Sequence, residues 1–236
     1  MAAADDLKRA VGRAAVDRYV VDGMRLGLGT GSTAIWAVRR AAERFAAGEL
    51  PRIRVVATSL QSELEARSLG LPVVTMNDAG MEEGLDLTID GADEVDTRGG
   101  LIKGGGGALL MEKVVAYASK RFVVVVDRGK VSERLGALSP VPVEVVPAAL
   151  APVRRALQAL GAEVDVRMAV RKAGPVVTDL GNLLLDARFR TAFDPPAMEA
   201  ALDAIPGVLG NGLFTRCRPE VLVAGPGGIG TLSLKG

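Results

Sequence analysis

A chain of 236 residues, 49% hydrophobic and 24% charged, fits one large α/β domain or one domain with a smaller partner, not a disordered or fibrous protein. Its 29 basic and 28 acidic residues leave +1, which gives no electrostatic case for nucleic acid or an anionic membrane, and two Tyr with one Trp offer few stacking platforms for bases. With no histidine and one cysteine, Cys217, the chain cannot use Ser-His-Asp or Cys-His catalysis or close an intrachain disulfide, so acid–base work falls to Asp, Glu, Lys or Tyr.

Apolar residues at Leu7, Val11, Ala14, Ala15 and Tyr19 predict an amphipathic helix over 7–20. Gly23 ends it, and 24–29 reads as a short strand running into a turn. Ile35, Ala37, Val38 and Ala42 space a helix over 32–47. A strand at 53–57, a helix at 59–69 and strands at 71–75 and 85–89 follow, with Asp90 at the C-terminal end of the last. Residues 108–120 predict a helix and 121–126 a buried, valine-rich strand. This β–α alternation predicts a parallel sheet with helices on both faces. Near residue 136 the pattern changes. Three prolines lie within 138–147, followed by a helix at 148–160, strands at 163–169 and 183–187, and a helix at 196–204 before 207–214. That order suggests a small α+β insertion, with a last strand at 221–224 returning to the main sheet. The N-terminus, with Asp5 and Asp6, lacks a basic-then-apolar signal pattern, and the longest clean apolar run, 122–126, is too short to span a bilayer. A reducing, cytosolic setting is the expectation.

Three glycine-rich segments stand out. Gly27-Leu-Gly-Thr-Gly-Ser-Thr33 joins a predicted strand to a predicted helix. It has neither the lysine of a Walker loop nor the glycine at 32 that a dinucleotide fingerprint needs. Its context suits an anion held by backbone N–H groups and the hydroxyls of Thr30, Ser32 and Thr33; the alternative is a tight turn with Ser32 or Thr33 capping the helix. Gly225-Pro-Gly-Gly-Ile-Gly230 matches G-x-G-x-x-G literally, but six residues leave no room for a following helix, so the match is accidental. Lys103 followed by glycines 104–107 directly precedes a helix. Four glycines in a row are entropically expensive, which favours close backbone approach to a ligand over a plain linker.

Asp90-Gly-Ala-Asp-Glu94 follows a strand, where open α/β sheets present ligand-binding groups. Small residues between Asp90 and Asp93 let both carboxylates face one cleft; a surface turn rich in Asp and Gly is the alternative, and the spacing makes a weak metal site. Glu112 lies early in the helix after the glycines, as a dipole partner or as the base of a chain that must use a carboxylate. Lys113 beside it reads as solvated. Lys103 reads either as a surface lysine or as the neutraliser of an oxyanion or phosphate. Cys217, between Arg216 and Arg218, reads as an incidental thiol.

Taken in order, these segments resemble the ribose-5-phosphate isomerase A family. The resemblance rests on Asp6-Leu-Lys-Arg-Ala-Val-Gly12, Gly27-Leu-Gly-Thr-Gly-Ser-Thr33, Asp90-Gly-Ala-Asp-Glu94, Lys103-Gly-Gly-Gly-Gly-Ala-Leu-Leu110 with Glu112-Lys113, and Val126-Asp-Arg-Gly-Lys130. It continues through Pro142-Val-Glu-Val145, Val177-Thr-Asp-Leu-Gly-Asn182, Ile205-Pro-Gly207 and Asn211-Gly-Leu-Phe214, and so covers nearly the whole chain. It implies an α/β fold: a Rossmann-like catalytic domain at 1–135 with 212–236, and a smaller ferredoxin-like α+β domain at 136–211. The implied activity is interconversion of ribose 5-phosphate and ribulose 5-phosphate through an enediolate, in the non-oxidative pentose phosphate pathway, without metal or organic cofactor, by a cytoplasmic homodimer.

Carried over residue by residue, Glu112 resembles the base that moves a proton between C1 and C2. Asp90 and Asp93 match residues that contact sugar hydroxyls, one of which would assist ring opening, and Lys103 one that steadies charge on the intermediate. Lys8, Thr30, Gly31, Ser32, Thr33 and Lys130 would line the substrate and its phosphate, and Gly91, Ala92, Gly104, Gly105 and Gly106 would lie against it. The family often carries arginine where this chain has Met111. Proton transfer alpha to a carbonyl needs a base, electrostatic help and exclusion of water, so the missing histidines are compatible with this activity. They disfavour an aminosugar-phosphate deaminase-isomerase. A sugar-phosphate sensor is disfavoured because the first 20 residues leave no space for a DNA-binding helix-turn-helix, and a nicotinamide-dependent oxidoreductase because the fingerprint at Gly27 fails.

Overall fold

The computed structural model describes residues 2–235; Met1 and Gly236, the outermost residues of the expected catalytic domain, lie outside them. In chain order the elements are α1 (Ala2–Tyr19), β1 (Arg25–Leu28), α2 (Ile35–Ala46), β2 (Arg54–Ala57), α3 (Leu60–Ser68), β3 (Leu87–Asp90), β4 (Glu94–Asp96), β5 (Leu101–Ile102), α4 (Leu109–Tyr117) and β6 (Phe122–Asp127). They continue as β7 (Val131–Ser132), β8 (Val141–Val145), α5 (Leu150–Ala159), β9 (Ala162–Val166), β10 (Leu183–Phe189), α6 (Pro195–Asp203), β11 (Val208–Asn211), β12 (Leu213–Phe214), β13 (Glu220–Gly225) and β14 (Gly228–Thr231). None of the described helices is long and apolar enough to cross a membrane.

Two compact units divide these elements. The first runs through Gly91 and adds Val114–Gly129 and Cys217–Ser233. Its sheet has the order β14-β13-β6-β3-β1-β2, parallel throughout except for the β13–β14 edge hairpin. Phe122 to Val126 of β6 are buried without alternation, as a parallel strand covered on both faces must be. Val11, Ala15 and Val16 of α1 share a core with Ala37, Val38 and Ala41 of α2 and with Leu26, Ile89 and Val123 of the sheet. Each such valine or leucine contributes about 1.5–3 kcal/mol when fully buried.

The second unit comprises Ala92–Lys113, Lys130–Arg216 and the residues from Leu234 onward. Its β8-α5-β9-β10-α6-β11 succession forms an antiparallel sheet of order β11-β8-β10-β9, the split βαβ arrangement of a ferredoxin-like fold. Its core gathers Val141, Val143, Val153, Leu157, Leu185 and Leu202. A further four-stranded sheet, β12-β5-β4-β7, carries Asp93 and Lys103 at the ends of its strands.

The structure differs from the sequence reading at several points. The division places residues 92–113, 130–135 and 212–216, with those from Leu234 onward, in the second unit, because β4, β5, β7 and β12 pair with one another and not with the large sheet. The strand expected at 71–75 is reduced to a single bridge, Val55 to Val73, since the chain turns away after one contact. The proline-bearing stretch instead holds a central strand, β8. Pro142 is tolerated there because its carbonyl accepts from Gly212 N (2.7 Å), which turns the ring nitrogen to the same side, beyond the end of β11. The accidental glycine pattern at 225–230 is the turn and outer strand of the β13–β14 hairpin.

Candidate active site

In the first unit, the loop after β1 meets the end of β3. Gly29 N donates to Ile89 O at 2.9 Å, and Thr30 N and Gly91 N donate to Asp90 Oδ1 at 3.1 and 2.7 Å. Asp90 is fully buried. Gly29 is obligatory here: a Cβ on it would lie 1.9 Å from Asp90 Oδ1 and 2.6 Å from Asp90 Cα. Gly31 adopts φ +99°, open to glycine and strained for other residues. The Thr30 hydroxyl lies 2.7 Å from Thr58 Oγ1 and donates to Ser59 Oγ (2.6 Å), while Gly31 N donates to Gln61 Oε1 (3.1 Å).

The helix that follows begins at Ile35 with Ala34 at its cap and no side-chain cap, so neither Ser32 nor Thr33 serves as one. Ser32 instead accepts a hydrogen bond from Lys8 Nζ at 3.0 Å, which brings a cation from α1 to the loop. A loop with a lysine, hydroxyls and a helix start is equipped for a phosphate. Thr58, Ser59 and Gln61 were not singled out from sequence. Their signal was available: they follow the C-terminal end of a parallel strand, where such sheets collect ligand groups.

In the second unit, Asp93, Lys103, the glycines and Glu112 come together. Lys103 is 2% exposed and Glu112 4% exposed, and Lys103 Nζ lies 3.6 Å from Glu112 Oε1. Glu112 occupies the first turn of α4, where the helix dipole favours a carboxylate. Two buried charges so close bear a desolvation penalty of several kcal/mol per ion, an arrangement more typical of chemistry than of stability. Lys103 is held by its backbone, whose N–H donates to Gly212 O at 2.9 Å, and its ammonium lies 5.7 Å from the Phe214 ring centroid.

The glycine run has a definite shape. Gly104 has φ +99°, and a Cβ there would lie 2.8 Å from Leu109 Cβ. Gly105 N donates to Asp93 Oδ2 at 2.6 Å. Gly105 and Gly106 are exposed, as backbone offered to a ligand must be. Ala92 and Lys130 are half-buried.

Lys113 is not solvated. Its ammonium donates to Glu199 Oε1 at 2.8 Å and to Leu213 O at 2.7 Å, and lies 5.1 Å from the same Phe214 ring. Burial pushes its pKa down, opposed by the hydrogen bond and charge of Glu199. The sequence reading failed because Glu199 is 86 residues away. Among the described residues, no group of three or more His, Cys, Asp or Glu gathers where it could hold a metal ion.

A family model described as ribose 5-phosphate isomerase A (phosphoriboisomerase A) matches residues 54–228. A relative named ribose-5-phosphate isomerase A from Thermosynechococcus vestitus is 49% identical over 221 residues, covering 94% of this chain and 92% of the relative. The solved structure of ribose 5-phosphate isomerase A from Methanocaldococcus jannaschii matches with a TM-score of 0.90 at 42% identity, over 97% of this chain and 98% of that one. A D-ribose-5-phosphate isomerase in complex with phospho-erythronic acid matches with a TM-score of 0.92 at 38% identity, again over 97% and 98% of the two chains.

Proposed function

This chain belongs to the ribose 5-phosphate isomerase A family, and we infer from that premise that it interconverts ribose 5-phosphate and ribulose 5-phosphate, with its residues dividing the work as follows. Glu112 is the base. In the open-chain aldose its carboxylate takes the proton from C2, and the C2–H electron pair forms the C1–C2 double bond as the carbonyl oxygen on C1 gains negative charge. A proton passes from the C2 hydroxyl to the C1 oxygen, Glu112 returns its proton to C1, and the ketose carbonyl stands at C2. The observation that carries this assignment is the buried Lys103–Glu112 pair at 3.6 Å, a base with a fixed cation beside it. A cation held in a dry setting offsets developing oxyanion charge better than one in water.

Asp90 and Asp93 are assigned to the sugar hydroxyls, and one of them to ring opening. The backbone of Gly91, Ala92 and glycines 104–106 is assigned to close contact with the sugar, and Lys8, Thr30, Gly31, Ser32, Thr33 and Lys130 to the phosphate end. The reading is supported by the phospho-erythronic acid bound to the solved relative, since a phosphorylated sugar acid shares with an enediolate of a sugar phosphate a planar, negatively charged pair of oxygens. A place in the non-oxidative pentose phosphate pathway follows from the activity. The cytoplasmic location and the homodimer remain part of the proposal, carried by the resemblance.

The test is direct. Purified protein given ribose 5-phosphate should produce ribulose 5-phosphate; tight sugar-phosphate binding with no turnover would favour a sensor instead.

A further inference from the structure

We propose that Arg167, set by Asp186, is a positioning residue for isomerisation: it clamps the Gly104–Gly105 peptide and through it orients the carboxylate of Asp93. The proposal rests on the functional reading above and extends it to an arginine 63 positions away from Gly104.

The geometry is that of one peptide plane held at both ends. Arg167 Nη1 donates to Gly104 O at 2.8 Å and to Gly105 O at 3.2 Å. The N–H of that same Gly104–Gly105 peptide is the group that donates to Asp93 Oδ2 at 2.6 Å. The carbonyl end is thus fixed by a cation and the amide end by the carboxylate assigned to the sugar. Polarisation along such a chain strengthens each bond in it. The Gly104 carbonyl also accepts from Gly107 N (2.9 Å), so without the cation a single turn hydrogen bond is left to hold a peptide flanked by glycines, and its rotation would withdraw the N–H from Asp93.

Arg167 is itself anchored. Its Nε donates to Asp186 Oδ2 at 2.9 Å and its Nη2 to Asp186 Oδ1, a two-pronged pair that leaves Nη1 aimed at the glycines. Its backbone is fixed as well: Arg167 N donates to Leu184 O (2.9 Å) and Arg167 O accepts from Val176 N (2.8 Å). Asp186 sits in β10, paired to Pro142 of β8 and Asp165 of β9. Four of the five guanidinium donors are used, and no lysine can reproduce that fork. An Arg–Asp pair serving only stability would not need to spend one arm on two adjacent glycine carbonyls.

The experiment uses the full chain and the variants Arg167→Met, Arg167→Lys, Asp186→Asn, Asp93→Asn and the double variant Arg167→Met/Asp93→Asn. Arg167→Met and Arg167→Lys should each lower kcat by about 10- to 100-fold with KM within about threefold, since a displaced group lowers turnover more than affinity. In the Asp93→Asn background, Arg167→Met should lower kcat by less than about twofold more, because the arginine acts through that carboxylate. Losses that simply multiply would overturn the proposal, as would wild-type kcat in Arg167→Met. If the Met variant does not fold, Asp186→Asn and amide exchange decide: Gly105 N–H should exchange about tenfold faster than in wild type, with the rest of the second unit unchanged. Unaltered exchange at Gly105 would contradict the clamp. Failure of wild-type protein to turn over ribose 5-phosphate would overturn the functional reading alone, because the exchange measurement does not depend on it.

Discussion

The two glycine loops do comparable work by different means. The loop at 29–33 is held by its own neighbours: it closes onto the end of β3 through Gly29 N to Ile89 O and Thr30 N to Asp90 Oδ1, and the Thr30 hydroxyl finds Thr58 and Ser59 at the end of the adjacent parallel strand. The run at 104–107 has no side chains to use, so beyond one internal turn bond from Gly107 N to Gly104 O it is held from outside by Asp93 and Arg167. A loop with side chains can be stabilised locally. A run made of backbone draws on groups from elsewhere in the chain, and Arg167 is proposed to affect turnover in that way without touching substrate.

A matched pair of substitutions sharpens this contrast. Gly29→Ala should be the more damaging, because its methyl would meet the Asp90 backbone as well as its carboxylate, so rotating a side chain cannot relieve the clash. We expect a loss of about 1–3 kcal/mol of stability together with a fall of about 100-fold in kcat/KM. Gly105→Ala places its methyl 2.4 Å from Asp93 Oδ1, but its three nearest atoms all belong to the Asp93 side chain, which can swing aside. It should cost under about 1 kcal/mol in stability and about tenfold in kcat. Urea melts and steady-state assays on both variants separate these outcomes; equal loss of stability would break the contrast.

The smallest effect concerns the other end of β3. Asp86 precedes this strand and is paired with Arg25 and Lys120, and the Arg25 hydrogen bonds hold its carboxyl well below the usual carboxylate range. A depressed folded pKa means stability that is present above the unfolded value of about 4 and lost as pH falls toward the folded one. Asp86→Asn should therefore be about 1 kcal/mol less stable than wild type at pH 7, and the gap should close in acid while turnover at neutral pH is unchanged. A gap that persisted at low pH would show that the charge is not its source.

Much of the architecture was legible because long elements announce their period. The helices at α1 and α2, the valine run of β6 and the change of pattern near residue 136 all follow from spacing and proline content. The sheet of β4, β5, β7 and β12 was not legible, since strands of two or three residues have no period to detect. In the candidate site, Asp90, Asp93, Lys103 and Glu112 could be picked out because residue type, glycine context and position after a strand or before a helix are local signals. The partners of Lys113 and the Arg167–Asp186 pair are long-range, and no local pattern marks a lysine as buried or an arginine as aimed at a glycine carbonyl.

Glu112, beside Lys103, is proposed to move the proton. Glu112→Gln keeps the shape of the side chain and removes its basicity, so the decisive measurement is kcat of this variant alongside its affinity for ribose 5-phosphate. We expect a loss of about 10³-fold or more in kcat with binding retained within a few-fold. Turnover near that of the wild type would contradict it.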